Sequence, residues 1–221
     1  MTNVGNTGPM GTTPRWHGDE SLDTAFSLAR EFHAGKTRKT DDTPYISHLM
    51  AVSALVTEHG GSQTQAAAAL LHDIIEDTSM THETLSSEVG AAIADIVLEC
   101  TDDTERGDES KMSREERLAD WRRRKNLYLD KLAKKPDGAP SLLVVLADKV
   151  HNSEGSARDI QRFRAAGRDV AEFWANFNAP RENQQWWYGE LLAALESKTW
   201  PAAAVPLLDR FRTAVGVIKS A

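Results

Sequence analysis

Residues 63–77 read QTQAAAALLHDIIED. An unbroken apolar run, Ala66–Leu71, leads into His72-Asp73, and Ile74-Ile75 separates that pair from Glu76-Asp77. A helix that is apolar on nearly every face is buried on most sides. Ionisable groups in such surroundings are costly unless they are paired or bound to a metal. The spacing predicts one helix over 63–77, with His72 above Glu76 and Asp73 above Asp77 in two stacked rows.

The same period extends outward. Ser21 is placed to cap a helix with Leu22, Ala25, Phe26 and Ala29 on its apolar face, stopped by Gly35. Pro44 opens a second helix carrying Ile46, Leu49, Val52, Leu55 and Val56, which ends at Gly60-Gly61. Downstream, Thr81 caps a short helix to Ser87, and Gly90 introduces another to Leu98. Ser113 and Glu116 form a capping-box pattern at the head of a long basic helix to about Lys135. A second strongly apolar helix covers 141–152, and further helices are predicted at about 157–166, 168–178, 180–197 and 203–219. The one short strand-like run, Leu142–Leu146, continues in a way that favours helix. The fold class expected is all-α, a bundle of about eight to ten helices. Residues 1–18, rich in Gly, Thr, Asn and Pro, are expected to form a flexible arm, and 19–221 one domain.

The 221 residues hold 26 Lys and Arg against 33 Asp and Glu, a formal net charge of −7. General nucleic-acid binding is excluded, because it requires a basic face. No apolar run approaches the length of a membrane span. The first residues lack a secretory pattern, so a cytoplasmic location is expected. Cys100 is the single cysteine, which excludes an intramolecular disulfide and a cysteine-based zinc site.

A second apolar helix also carries a carboxylate where core is expected: Asp148 follows Leu142–Ala147, with Asn152 four residues on. His48 sits beside the apolar row of the second helix. His48, His72, Asp73 and Asp148 offer nitrogen and oxygen donors suited to manganese, iron, nickel or zinc. On spacing alone, a helix-end carboxylate cluster beside a satisfied core histidine is an equal reading. The basic run Arg122–Lys125 is read as a solvated face or, alternatively, a phosphate-facing one. His33, His59, His82 and His151 are read as structural or exposed, and Cys100 as a small buried hydrophobe. Trp174, Trp186, Trp187 and Trp200 are expected to pack the C-terminal helices, with a homodimer face as the alternative.

Three strings, TPYISHLMAVSALV, AAALLHDIIEDTSMT and VLADKVHN, occur in this order. Together they resemble the HD-domain phosphohydrolases, and more narrowly the hydrolase half of the RelA/SpoT alarmone enzymes and their small stand-alone relatives. The likeness spans roughly residues 22–155, about 60% of the chain. It implies an all-α HD-domain bundle holding one divalent metal ion, usually Mn2+. It also implies removal of the 3′-pyrophosphate from guanosine tetra- or pentaphosphate. Position by position, the resemblance makes His48, His72, Asp73 and Asp148 the metal ligands, and Glu76 and Asp77 the acidic pair that positions or deprotonates the attacking water. It sets Arg38 on the guanine base with Lys39 beside it, Asn152 on the sugar and Lys149 near a phosphate.

The chain departs from the family pattern at two places. Asp41 and Asp42 stand in the loop before Pro44, and Val145 stands where the family often has lysine. The alternatives are an HD-domain phosphohydrolase of an adenosine alarmone, of NADPH or of a nucleotide monophosphate, and a non-catalytic nucleotide-binding HD protein. In each case the partner is a small phosphorylated nucleotide, with no membrane and no general nucleic-acid binding.

Overall fold

A computed structural model describes residues 20–38, 42–102 and 111–221. The expected arm at 1–18 and the basic-loop residue Lys39 lie outside the described residues. The described chain is all-α. Its helices are α1 (Ser21–Phe32), α2 (Ile46–Glu58), α3 (Gln63–Leu71), α4 (Ile74–Asp77), α5 (His82–Val89) and α6 (Ala91–Cys100), followed by α7 (Arg114–Lys134), α8 (Pro140–Ala165), α9 (Val170–Trp174), α10 (Arg181–Glu196) and α11 (Val205–Lys219). Among the described residues, extended pairing is confined to one antiparallel bridge, Thr37 with Pro44. No helix among them is long and apolar enough to cross a membrane.

The core forms around α3 and α8. Ala66 through Leu71 are all buried, as the apolar run requires, and each buried leucine contributes roughly 1.5–3 kcal/mol. Helix α3 packs against α1, α2, α6 and α8, and α8 packs in turn against α2, α6, α9 and α11. The small Ala66–Ala69 side chains let these neighbours approach α3 on several sides. One hydrophobic cluster runs from Ala25 to Ala221, so Leu207, Phe211, Val215 and Ile218 of α11 share the core of the motif-bearing helices.

The boundaries follow local chemistry. Ser62 with Gln65, and Ser113 with Glu116, make reciprocal capping boxes on α3 and α7. Gly90, at φ 86°, ends α5 and begins α6. Pro44 does not open α2: it is held in the bridge with Thr37, and Tyr45 precedes the first helical residue. Glu20, not Ser21, occupies the cap position of α1. Helix α8 runs through Gly155 and joins the segments expected separately at 141–152 and 157–166. The buried Ser153, Ser156, Ala157 and Ile160 supply the packing that carries it across. The 168–178 segment shrinks to the five residues of α9, closed by Asn176 donating to the Glu172 and Phe173 carbonyls.

The most consequential correction concerns 63–77. The helix breaks at His72-Asp73, which form a turn between α3 and α4. Adjacent residues on a continuous helix point in different directions. The turn instead brings His72 Nε2 within 3.0 Å of Asp73 Oδ2.

Candidate metal centre

Four side chains from three parts of the fold converge. His48 comes from α2, His72 and Asp73 from the α3–α4 turn, and Asp148 from α8. Donor atoms of His48, His72 and Asp73 all lie within 4.8 Å of one another. Asp148 Oδ1 lies 3.3 Å from His48 Nε2 and 3.5 Å from His72 Nε2. His48, His72 and Asp148 are buried, and Asp73 is partly so.

The donor chemistry fits a divalent cation. His72 Nδ1 lies 2.8 Å from the Ala69 carbonyl, so this nitrogen carries the hydrogen. Its Nε2 is buried and makes no hydrogen bond, although two carboxylate oxygens are near. Those oxygens sit close enough for charge attraction yet off the N–H direction, as donors that share a cation do. Two imidazoles and two carboxylates match the nitrogen and oxygen preference of such an ion.

Outer partners orient these groups. The Tyr45 hydroxyl donates to Asp73 Oδ2 at 2.5 Å. His48 Nδ1 faces His151 Nδ1 at 2.8 Å. Lys149 Nζ donates to Asp148 Oδ2 at 2.7 Å, and Asn152 Nδ2 donates to Asp148 Oδ1 at 2.5 Å. Arg38 then donates to Asn152 Oδ1 at 2.6 Å, which ties the loop before α2 to α8.

The electrostatics are strongly coupled. Burial raises the Asp148 carboxyl, but Lys149 and the two imidazoles hold it well below the ordinary carboxylate range. Burial likewise opposes ionisation of Asp73, and His72 overrides it. His72 is pulled down by burial but held well above its usual value by Asp73 and Asp148. Burial dominates at His48 and pushes its pKa down. Lys149 loses hydration, yet Asp148 keeps it firmly charged.

The centre opens into a pocket of about 680 Å³ whose lining includes Arg38, Glu76, Lys125, Asp148, Lys149 and Asn152. Glu76 lines this pocket with its pKa raised, chiefly by burial and then by the Asp73 and Asp102 carboxylates. Asp77 is not part of the lining. It is exposed, with Lys36 Nζ 3.7 Å from its carboxylate and donating to its backbone carbonyl at 2.9 Å. The acidic pair therefore divides, one member lining the pocket and one exposed outside that lining.

The basic run divides as well. Arg122 lies over the Trp186 ring at 3.2 Å, Arg123 and Arg124 bind Asp120, and Lys125 enters the pocket paired with Asp102 at 2.6 Å. Trp187, stacked edge-on against Tyr128, also lines the pocket. Of the histidines read as structural, His33 stacks on Tyr45, His59 bonds the Leu55 carbonyl and His82 pairs with Asp95. His151 belongs instead to the site.

Sequence reasoning passed over Tyr45 and Asp102 as site residues, and weighed Lys125 only as part of a run that was solvated or, alternatively, phosphate-facing. Tyr45 stands three residues before His48, almost one helical turn away, and that spacing is a signal. Asp102 and Lys125 are 23 residues apart and meet only through the packing of α7, so no local pattern marks them.

Comparison with known proteins agrees with this geometry. A family model described as "HD domain" matches residues 25–184. The chain is 34% identical over 142 residues to the guanosine-3′,5′-bis(diphosphate) 3′-pyrophosphohydrolase of Haemophilus influenzae, covering 63% of this chain and 19% of the relative. It is 31% identical over 156 residues to the bifunctional (p)ppGpp synthase/hydrolase SpoT of Escherichia coli, covering 70% of this chain and 21% of that protein. The chain thus spans about a fifth of the length of these relatives. Among solved structures, a metazoan SpoT ortholog described as hydrolysing ppGpp superposes with a TM-score of 0.64 at 23% identity, covering 91% of this chain and 99% of that one. A Listeria monocytogenes protein superposes at 0.59, also at 23% identity, covering 80% and 98%. At that identity the superpositions speak to the fold.

Proposed function

The chain belongs to the HD domain family, and from that premise we propose that it is a metal-dependent hydrolase removing the 3′-pyrophosphate from guanosine tetra- or pentaphosphate. The observation that carries the reading is the convergence of buried His48, His72 and Asp148 with partly buried Asp73, one His72 nitrogen making no hydrogen bond, beside a pocket that Arg38, Lys125 and Lys149 also line. The names of the sequence relatives support the substrate.

His48, His72, Asp73 and Asp148 would hold one divalent ion, and we propose Mn2+ from the mixed nitrogen and oxygen donors. When bound, such an ion supplies Lewis acidity to a phosphoryl oxygen and makes water acidic near neutral pH. Glu76 takes the proton of the attacking water, a role its raised pKa suits. The water oxygen bonds to the phosphorus attached to O3′, and the P–O3′ bond breaks. O3′ leaves with the proton that Glu76 took from the water, giving pyrophosphate and a 3′-hydroxyl nucleotide. Lys149 and Lys125 place positive charge in the pocket for the phosphates, and Arg38 packs on the base. Asn152 meets the sugar, and Asp77 holds Lys36 at the edge. A small nucleotide and a free cysteine fit a cytoplasmic setting.

The test is pyrophosphate release from guanosine tetraphosphate by the full chain, with and without Mn2+, beside adenosine alarmone, NADPH and nucleotide monophosphates. Expected is manganese-dependent pyrophosphate release that Asp73→Ala abolishes. Orthophosphate release from another nucleotide, with the alarmone intact, overturns the substrate assignment. A protein that binds nucleotide without turnover or metal overturns the reaction.

A further inference from the structure

The pocket beside the metal centre extends along α8. Asp148, Asn152 and Ser156 all line it, at four-residue intervals on one helix face. Each interval is a rise of about 6 Å, so Ser156 lies about 12 Å from Asp148 along the axis. Tyr188 of α10 is hydrogen-bonded to Ser156, which sets α10 against that turn of α8. Gln184, Trp187 and Tyr188 share one face of α10 and line the pocket there, and Phe177 from the α9–α10 connection joins them.

Gln184 is the polar member of this wall, and it is only 8% exposed. Its backbone N–H donates to the Pro180 carbonyl at 3.1 Å. Its side-chain amide makes no hydrogen bond among the described residues. A buried amide without a partner is costly, and one that lines a cavity points to a partner that enters the cavity. The surroundings define that partner. A phosphate would lose hydration against the rings of Phe177, Trp187 and Tyr188. A flat heterocycle matches those rings and brings its polar edge to the amide. Burial raises the Tyr188 pKa, and the charges that act on its hydroxyl include Lys149, Asp148 and Arg38. Arg38, assigned above to the base, therefore serves the same end of the pocket.

We propose that the Gln184 side chain reads the Watson–Crick edge of the nucleotide's base. The inference rests on the guanosine reading above and adds the residue that meets the base edge. With the 3′-pyrophosphate at the metal centre and the sugar at Asn152, the base reaches the level of Ser156 and Tyr188, one helical turn from Gln184. Gln184 Oε1 accepts from guanine N1–H, and Nε2 donates to O6. With the amide turned over, Nε2 donates to adenine N1 and Oε1 accepts from N6–H, so this contact tolerates either purine. Gln184→Glu removes the donor. The carboxylate then accepts from guanine N1–H and N2–H and meets the lone pair of adenine N1.

The probes are GDP, ADP and inorganic pyrophosphate, titrated calorimetrically into the full chain with Mn2+. Expected is that Gln184→Leu weakens GDP about 10–100-fold and leaves pyrophosphate, which has no base, unchanged. Gln184→Glu raises the preference for GDP over ADP about tenfold or more. In turnover of guanosine tetraphosphate, Gln184→Leu raises KM and keeps kcat near wild type, because the contact is the same in substrate and transition state. Asp159, which also lines the pocket and pairs with Arg162 at 3.3 Å, is the control, and Asp159→Asn keeps the GDP preference. Unchanged GDP and ADP affinities in both Gln184 variants overturn the role. So does a loss of pyrophosphate equal to the loss of GDP, a preference that moves in Asp159→Asn instead, or a wild type that binds neither diphosphate. A wild type that binds GDP but releases no pyrophosphate from guanosine tetraphosphate overturns the reaction assigned above, and the titrations still decide for or against Gln184.

Discussion

The Nδ1 atoms of His48 and His151 lie 2.8 Å apart, so between them they hold one hydrogen. A lone pair on His48 Nε2, the atom nearest Asp148, requires that hydrogen on His48 Nδ1. His151 must then accept it, which needs a neutral ring. Burial, His48 and Arg38 push the His151 pKa down to about 4, so the ring is neutral across the physiological range. His151 is thus a positioning residue that fixes the tautomer of His48. His151→Phe is expected to weaken Mn2+ binding about 10–100-fold, and His151→Asn, whose amide oxygen accepts, to restore part of it. Direct metal titration reads both. Unchanged affinity in His151→Phe removes the role.

Cys100 lines the pocket at the candidate metal centre but is expected to be inert. Burial pushes its thiol up to about 12, against a weaker downward pull from Lys135. The thiolate is the reactive form, so at pH 8 roughly one molecule in 10⁴ is poised to react. Ellman's reagent should label the native protein far more slowly than the urea-unfolded chain. Native labelling at the unfolded rate contradicts this.

Most of the fold was legible because it rests on local signals. The Ser113–Glu116 capping box, the glycine at 90 and the apolar run before His72 each act over a few residues. The break at His72-Asp73 was not legible, because every residue from Ala66 to Asp77 except the break itself follows helical periodicity. What turns the chain there is the convergence of His72 and Asp73 with His48 and Asp148, contacts made across the fold. The His48, His72, Asp73 and Asp148 set was visible as residue types, but spacing alone left a bland cluster equally open. Asp102 with Lys125 depends on how α7 docks: the basic run left a phosphate-facing role for Lys125 as an alternative, but nothing in the sequence paired it with Asp102, and the separation of Glu76 from Asp77 was not legible either.

The turn between α2 and α3 makes a sharp stability prediction. Gly61 donates its N–H to the Val56 carbonyl at 2.8 Å, and its Cα is buried against that residue. A Cβ there would collide with Val56 Cγ1 and sit 2.7 Å from the Val56 carbonyl oxygen. The oxygen belongs to the backbone of α2 and cannot swing aside, so the α2–α3 junction must open. Gly61→Ala is expected to destabilise by about 1–3 kcal/mol, read as a lower midpoint in urea unfolding. Gly138→Ala, where a Cβ meets nothing within 4 Å, isolates the backbone cost of a left-handed glycine at φ 78°. A Gly61→Ala midpoint no lower than that of Gly138→Ala contradicts the collision.

The pH dependence should report Glu76. A general base works in its ionised form, and burial followed by the Asp73 and Asp102 carboxylates raises the Glu76 pKa. The acid limb of kcat/KM therefore lies at higher pH than an ordinary glutamate would give. Asp102→Asn removes one of the raising charges. It also releases Lys125 from its 2.6 Å partner, and Lys125 lowers the same pKa. Both changes act in one direction, so the acid limb should move to lower pH while the metal content stays constant. Glu76→Gln should cost about 10²–10⁴ in kcat and leave bound metal and nucleotide affinity near wild type. An acid limb that stays in place in Asp102→Asn, or moves upward, assigns the titration to another group.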